Sequence, residues 1–429
     1  MRDERTRRGG AVVAGLVAMC ATAVRGQCEP DFLPVTDDFN NGAVHALTEH
    51  NGALYAGGSF TATASSANVN RVARWDGSNW HPLGAGLGPG ILPDTTRPVG
   101  ALCSFAGGLI AGGSFGSAGG SAIQRIARWD GTAWHPLGTG VNGPVNALHV
   151  YDGHLIAGGK FTTAGGAPAN LIARWNGTTW SALHTGMSGG VAELRAIEAL
   201  TVYNGELVAS GYFDFAGGVP ASSVARWNGQ NWQNLGTGIT FARGGIGLRA
   251  LCVHDGWLIA GGNASQIVGV SVNRVARWNG TVWEPLGSGL GSHVYAAASY
   301  AGDLYVGGAF ITAGGNQAFY FARWDGTQWG AASTGTTDDV RALTHHNGKL
   351  IVGGDFLGAG ALSSRRWARW GCDSCYPDCN ASGSLTVADF GCFQSKYVLG
   401  DPYADCNASG TLTVADYGCF QGKYVLGCP

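Results

Sequence analysis

Between residues 44 and 370 the apolar positions gather into short runs, four to a unit, and turn signals separate them. The first unit shows all four: Val44-His45-Ala46-Leu47, Leu54-Tyr55-Ala56-Gly57-Gly58, Arg71 to Trp75, and Trp80 to Leu83. Short runs bounded by Gly, Asn and Asp predict strands, not helices. Asn51-Gly52, between the first two runs, supplies the positive-φ pair of a two-residue hairpin. Gly returns at that place at 107, 153, 205, 256, 302 and 348. Asp76-Gly77, between the third and fourth runs, returns as Asp130-Gly131, Asn176-Gly177, Asn228-Gly229, Asn279-Gly280 and Asp325-Gly326.

The third run carries Ala-Arg-Trp seven times, with Arg at 74, 128, 174, 226, 277, 323 and 369, at intervals of 46 to 54 residues. Four strands at this period are one blade of a propeller, so the pattern predicts an all-β, seven-bladed β-propeller. The seventh unit lacks its fourth strand, because it stops at Trp370-Gly371-Cys372. The missing piece is at the other end: Asp31-Phe32-Leu33-Pro34-Val35 aligns with Asn79-Trp80-His81-Pro82-Leu83. The N-terminal strand is therefore expected to complete the last blade and remove an open edge. On that alignment Cys28 and Cys372 replace the Asp-Gly turn of the other blades, which predicts a Cys28–Cys372 disulfide across the seam.

In the order Leu54-Tyr55-Ala56-Gly57-Gly58, loop, Val72–Trp75, turn, Trp80, Pro82-Leu83, the unit resembles kelch-type propellers. The resemblance spans about residues 28–372. It implies the fold, and a range of uses from binding scaffold to oxidase or lyase-like enzyme, without choosing among them. The repeated Arg and paired Trp are expected to be structural, since every blade needs them, whereas one ligand on the axis breaks the symmetry. Function is expected where the repeats differ. The candidates are the insertion Gly88–Pro98, Tyr212-Phe213-Asp214-Phe215, Phe241–Gly247 and Asp338-Asp339. No catalytic motif is found: neither His-Glu-x-x-His nor Gly-x-Ser-x-Gly occurs, and His345-His346 should point to opposite strand faces.

After Cys372 the pattern changes to a duplicated unit of 27 residues. In the first copy Asp378, Asn380, Ser382, Thr386 and Asp389 stand at positions 1, 3, 5, 9 and 12 of a calcium loop. Gly383 is at position 6, and Ser384 at position 7 offers its carbonyl. The second copy repeats this with Asp405, Asn407, Ser409, Thr411, Thr413 and Asp416, so two calcium ions are expected. Helices should follow over 389–399 and 416–426. The copies, ending Lys396-Tyr397-Val398-Leu399-Gly400 and Lys423-Tyr424-Val425-Leu426-Gly427, resemble dockerin modules, and Gly391-Cys392 and Gly418-Cys419 look like the GC-type variant. The resemblance implies docking to a cohesin-like or cell-envelope protein, with Val387-Ala388 and Val414-Ala415 at the partner-choosing loop positions. Unlike ordinary dockerins, this unit has six cysteines: Cys375, Cys379, Cys392, Cys406, Cys419 and Cys428. Three bridges in an oxidising compartment are expected; fifteen pairings exist, and Cys375–Cys428 would tie the ends.

Composition adds the compartment. Residues 1–26 read as a signal peptide, with Arg2, Arg5, Arg7 and Arg8 before an apolar run from Ala11 to Val24. The chain divides into residues 1–26, a propeller over 27–372 and a small α-helical calcium module over 373–429. Formal net charge is −2, which gives no basic footprint for nucleic acid. No later segment is apolar and long enough for a membrane-spanning helix. The expected protein is a secreted or cell-surface binding or display scaffold, with carbohydrate among its expected partners. The alternative is an extracellular enzyme acting on polysaccharide from the propeller rim.

Overall fold

Each repeat folds as one antiparallel sheet, paired in the order of the sequence. The computed structural model describes residues 30–65, 67–91, 96–236, 239–241, 247–267, 270–271, 273–371, 379, 387–401, 404, 406 and 411–426. In blade 1 the strands are Val44–His50, Ala53–Gly58, Val72–Trp75 and Trp80–Pro82, and five further sheets repeat this order within one unit. The innermost strands are Val44–His50, Ala101–Phe105, Val145–Tyr151, Ala196–Tyr203, Leu248–His254, Val294–Tyr300 and Val340–His346. Each touches the next, and the seventh touches the first, so the sheets form a closed ring of seven blades.

The seventh sheet borrows its outer strand, as the alignment required. Asp31–Leu33 pairs antiparallel with Trp367–Gly371, setting Asp31 opposite Gly371, Phe32 opposite Trp370 and Leu33 opposite Arg369. This register puts Phe32 where the other blades have their second Trp, since Trp75 pairs with Trp80 in blade 1. Cys28 and Cys372 lie outside the described residues, and so does their predicted bridge.

The core lies between blades. One cluster joins Ile110 and Ile126 of blade 2 to Val145, Leu155, Phe161 and Trp175 of blade 3, and the other interfaces repeat the scheme. The two Trp of a blade sit with ring centroids 5.3–5.5 Å apart, buried, so they are packing and not an exposed sugar platform. In blades 2 to 6 the second Trp also donates across the interface. Trp134 Nε1 reaches the Leu83 carbonyl of the preceding blade at 3.0 Å, and Trp180, Trp232, Trp283 and Trp329 do the same to Leu137, Leu183, Leu235 and Leu286. In the hairpin before it, Asp76 Oδ1 accepts from the Ser78 and Asn79 amides at 2.8 Å, which explains the recurrent Asp or Asn.

The Gly-Gly pair has two separate causes. A Cβ on the second Gly would stand 2.0 Å from a backbone carbonyl of the inner strand's entry, as at Gly159 against Pro144 O, with no room to move. A Cβ on the first Gly would strike a β-branched side chain of the next blade, as at Gly158, 2.4 Å from Ile197 Cγ2. Blade 4 alone has Ser210 at the first position, and the facing residue of blade 5 is Leu248 instead of Val or Ile. Leu lacks the branch at Cβ, and Ser210 Oγ uses the space to donate to the Leu248 carbonyl at 3.3 Å. Leu248→Val should therefore lower stability by about 1–3 kcal/mol through overpacking. The double variant with Ser210→Gly should recover most of it in urea unfolding, and additive losses would refute the pairing.

The C-terminal residues from 374 belong to a second compact unit, distinct from residues 29–373. Its helices are α1 (Val387–Leu399) and α2 (Val414–Leu426), each beginning two residues earlier than the sequence suggested. At α2 the cause is a capping box: Asp416 Oδ2 accepts from Thr413 N at 2.7 Å and from Thr413 Oγ1 at 3.1 Å. Phe393 stacks on Phe420 at 3.9 Å to form the core. Disulfides Cys379–Cys392 and Cys406–Cys419 each fasten a loop to its own helix. Each closes a loop of 13 residues, worth about 3 kcal/mol in the chain-entropy account. Cys375 and Cys428 lie outside the described residues, as does the bridge expected between them. Among the described residues no helix is long and apolar enough to cross a membrane.

Candidate functional site at the channel mouth

A propeller of identical blades would have a symmetrical channel, so a site shows as a column of the repeat whose residues differ. That column is the second residue of the inner-strand motif. Its neighbours hardly change: Val44-His45-Ala46, Val99-Gly100-Ala101, Val145-Asn146-Ala147, Ile197-Glu198-Ala199, Leu248-Arg249-Ala250, Val294-Tyr295-Ala296 and Val340-Arg341-Ala342. In six blades the strand register slips at this residue, a β-bulge that leaves it without a partner in the second strand. In blade 2 the residue is Gly100, and Arg97 from the preceding loop occupies the space.

These side chains, one or more from every blade, enclose a cavity of about 150 Å³. Glu198 is its buried acid. Arg97 Nη2 donates to Glu198 Oε2 at 2.8 Å, Asn146 Nδ2 to Glu198 Oε1 at 3.1 Å, and Arg249 Nε stands 3.6 Å from Oε2. Burial alone would raise the Glu198 carboxyl, but the charges of Arg97 and Arg249 outweigh it and hold it below the usual range. Arg341 donates to Asp355 through Nε and to Asp339 Oδ2 through Nη2 at 3.1 Å. The guanidinium carbons of Arg249 and Arg341 lie 5.4 and 5.2 Å from the Tyr295 ring centroid.

His45 completes the ring. Both its nitrogens are buried and have no hydrogen-bond partner. Burial, with the positive charges of Arg341 and Arg97, lowers its pKa to about 3, so the ring is neutral at ordinary pH. A neutral imidazole offers one donor and one acceptor, and here neither is used by the protein.

A larger cavity of about 750 Å³ lies near this one: Thr96 lines the larger and Arg97 the smaller. Arg125, Lys160 and Arg195 line the larger cavity, and the Lys160 charge also acts on Glu198.

The loops singled out by sequence contribute unequally. Gly88–Pro98 supplies Arg97, although residues 92–95 lie outside the described set. Asp339 buttresses Arg341, whereas Asp338 lines neither cavity. Phe213 is core, and Asp214 accepts from Gly190 N at 2.6 Å. Phe241–Gly247 is described only at Phe241 and Gly247. His345 bonds the Ser299 carbonyl and His346 bonds Glu49, so the pair does divide between two neighbouring blades. The seven repeated Arg do not converge: Arg226 pairs with Glu206, Arg277 with Glu284 and Arg323 with Asp303, each inside its own blade. Cys103 and Cys252 are free, with burial pushing their thiols up to about 11 and about 12, far from nucleophilic at neutral pH. The bulge column stands in the aligned repeats, but no single strand marks its residue as different from its neighbours.

Of the calcium-loop residues, Asp378, Asn380, Ser382, Ser384, Thr386, Asp405, Asn407 and Ser409 lie outside the described set. Asp389 and Asp416, the residues expected at position 12, are fully buried at 0% exposure, and Asp416 there caps α2 through Thr413. Val387 and Val414, at position 10, are 86% and 84% exposed. Among the described residues no three His, Cys, Asp or Glu side chains gather into a metal site.

Comparison with known proteins agrees with this architecture. Residues 152–177 and 254–280, the middle strands of blades 3 and 5, match a family described as a domain of unknown function (DUF5122) β-propeller. No curated protein matches. Among solved structures the chain is similar to the computationally designed Ika8 protein, at 15% identity and a TM-score of 0.45, over 80% of this chain and all of that one. It is also similar to the WD40 β-propeller domain of Doa1, at 13% identity and a TM-score of 0.48, over 80% of this chain and 97% of that one. By its own strand pairing, the chain is a β-propeller with a small helical unit at its C-terminal end.

Proposed function

We propose that this is an exported binding scaffold: a kelch-like propeller that holds its ligand at the channel mouth, carried on a dockerin-like module. The observation behind the first half is the bulge column. Residues that differ from blade to blade meet there, and they include a buried histidine whose two nitrogens are unsatisfied. Binding is favoured over glycoside hydrolysis because the acids are already committed. Glu198 is held ionised by Arg97 and Arg249, while Asp339, raised by burial, and Asp355 both grip Arg341. A hydrolase needs one carboxyl kept protonated beside the scissile bond. The test is a ligand screen on the full chain, repeated with Arg97→Ala. A ligand held equally by both proteins would place binding elsewhere.

For the module, two buried carboxylates at position 12 fit calcium, and exposed Val387 and Val414 fit a docking face. Calcium there would fix the two loops and present that face to a cohesin-like or cell-envelope partner. Saturating calcium at a hundredfold above its Kd should stabilise the C-terminal unit by about 2.7 kcal/mol. Asp389→Asn with Asp416→Asn should abolish that shift in calorimetry while leaving the propeller transition in place. An undiminished shift in the double variant would remove these loops as the calcium sites.

A further inference from the structure

The unused valences at the channel mouth describe a ligand. The two neighbouring cavities are lined by six cations, Arg97, Arg249, Arg341, Arg125, Lys160 and Arg195, against two carboxylates, Glu198 and Glu193. The whole chain has the opposite balance, 26 Lys and Arg against 28 acids. Positive charge is thus concentrated at one place on a slightly acidic protein, and even with Asp339 and Asp355 behind Arg341 the linings keep a cationic excess.

Within that field Arg249 has capacity to spare. Its buried Nε makes no hydrogen bond, and its nearest carboxylate oxygen, on Glu198, is 3.6 Å away, beyond bonding distance. A guanidinium so placed suits the two oxygens of an incoming carboxylate. His45, a neutral donor and acceptor, suits a hydroxyl, which is both as well. The 150 Å³ cavity holds about five waters at roughly 30 Å³ each. That admits a carboxylate with one or two hydroxyl-bearing carbons, and the 750 Å³ cavity beside it has room for further sugar units.

We propose that the channel mouth takes an acidic saccharide, one uronate carboxylate entering at Arg249 with a neighbouring hydroxyl on His45. The rest of the saccharide then runs past Lys160 and Arg125. This rests on the channel-mouth reading above and adds the ligand class to it.

The experiment is titration calorimetry of the full chain with trigalacturonate, with its carboxyl-reduced counterpart and with a sulfated neutral trisaccharide. Binding to trigalacturonate alone is expected, weakening as salt is raised. Arg249→Met should weaken it about ten- to a hundredfold, the range for a charge-assisted hydrogen bond, and His45→Phe should weaken it less. Melting curves report whether each variant is folded; should Arg249→Met not fold, Arg249→Lys keeps the charge, removes the fork and should fall between. Equal binding of the reduced sugar, lost in the variants, would overturn the acid class and leave the channel-mouth site standing. Equal binding of the sulfated sugar would overturn the carboxylate assignment. Trigalacturonate binding untouched by either variant would overturn the site itself. No binding of trigalacturonate would overturn this inference, and the screen with Arg97→Ala would still decide the site.

Discussion

Phe32→Ala destabilises the propeller by about 3–5 kcal/mol, the range for removing a buried Phe, in guanidinium unfolding followed by Trp fluorescence. The closing strand has three residues, and Phe32 is one of its two buried side chains. It is 6% exposed, edge-on to Trp370 at 4.9 Å and 5.7 Å from Phe321, inside a cluster that also holds Tyr305, Val352 and Phe356. Its loss leaves a cavity and weakens the strand that reaches its blade from the far end of the chain. Asp31→Ala, at the exposed neighbour, serves as the control and should change stability by under about 0.5 kcal/mol. A loss below about 1 kcal/mol for Phe32→Ala would mean that the ring is held by other contacts.

Acid should weaken the fold through His45. Its pKa is about 3 in the folded state against 6.5 ordinarily, because burial and two neighbouring arginines oppose its protonation. Between those values the unfolded chain binds the extra proton and the folded protein does not. Stability is then complete above about pH 6.5 and falls with pH down to about pH 3, at up to about 1.4 kcal/mol per unit. Carboxylates such as Glu198, held ionised in the fold, lose stability at the acid end of the same range, so the comparison with His45→Gln isolates the histidine. The variant's stability should fall less steeply from pH 6.5 to 4 than the parent's. Parallel curves would show that His45 accepts its proton in the folded state.

Much of the fold was legible because a propeller writes itself in the sequence several times over. The hairpin turns, the Ala-Arg-Trp strand and the place of Phe32 opposite Trp370 all follow from aligning the repeat with itself. Ser210 shows the limit of that method. It stands where the other repeats have a glycine, and its cause is Leu248 in the next blade, whose backbone carbonyl it bonds from 38 positions away. The site was harder for the same reason. His45, Asn146, Glu198 and Arg249 are single letters in four different repeats, and only ring closure brings them to one cavity. Arg97 is further hidden, since it stands outside the column and fills the room left by Gly100. The C-terminal unit was legible in its two helices, but the early start of α2 depends on a capping bond that position counting missed.

The seam also sets a clock. In the other six blade sheets the paired strands come from one repeat unit, whereas Asp31 meets Gly371 only after the whole ring is in place. Bringing the ends of a segment that long together costs roughly 5 kcal/mol of chain entropy by the logarithmic rule, so the contact forms late and is absent from the folding transition state. A contact of that kind governs how fast a native molecule opens, not how fast it forms. Damage at Phe32 should leave the refolding rate nearly unchanged and shorten the lifetime of the finished ring.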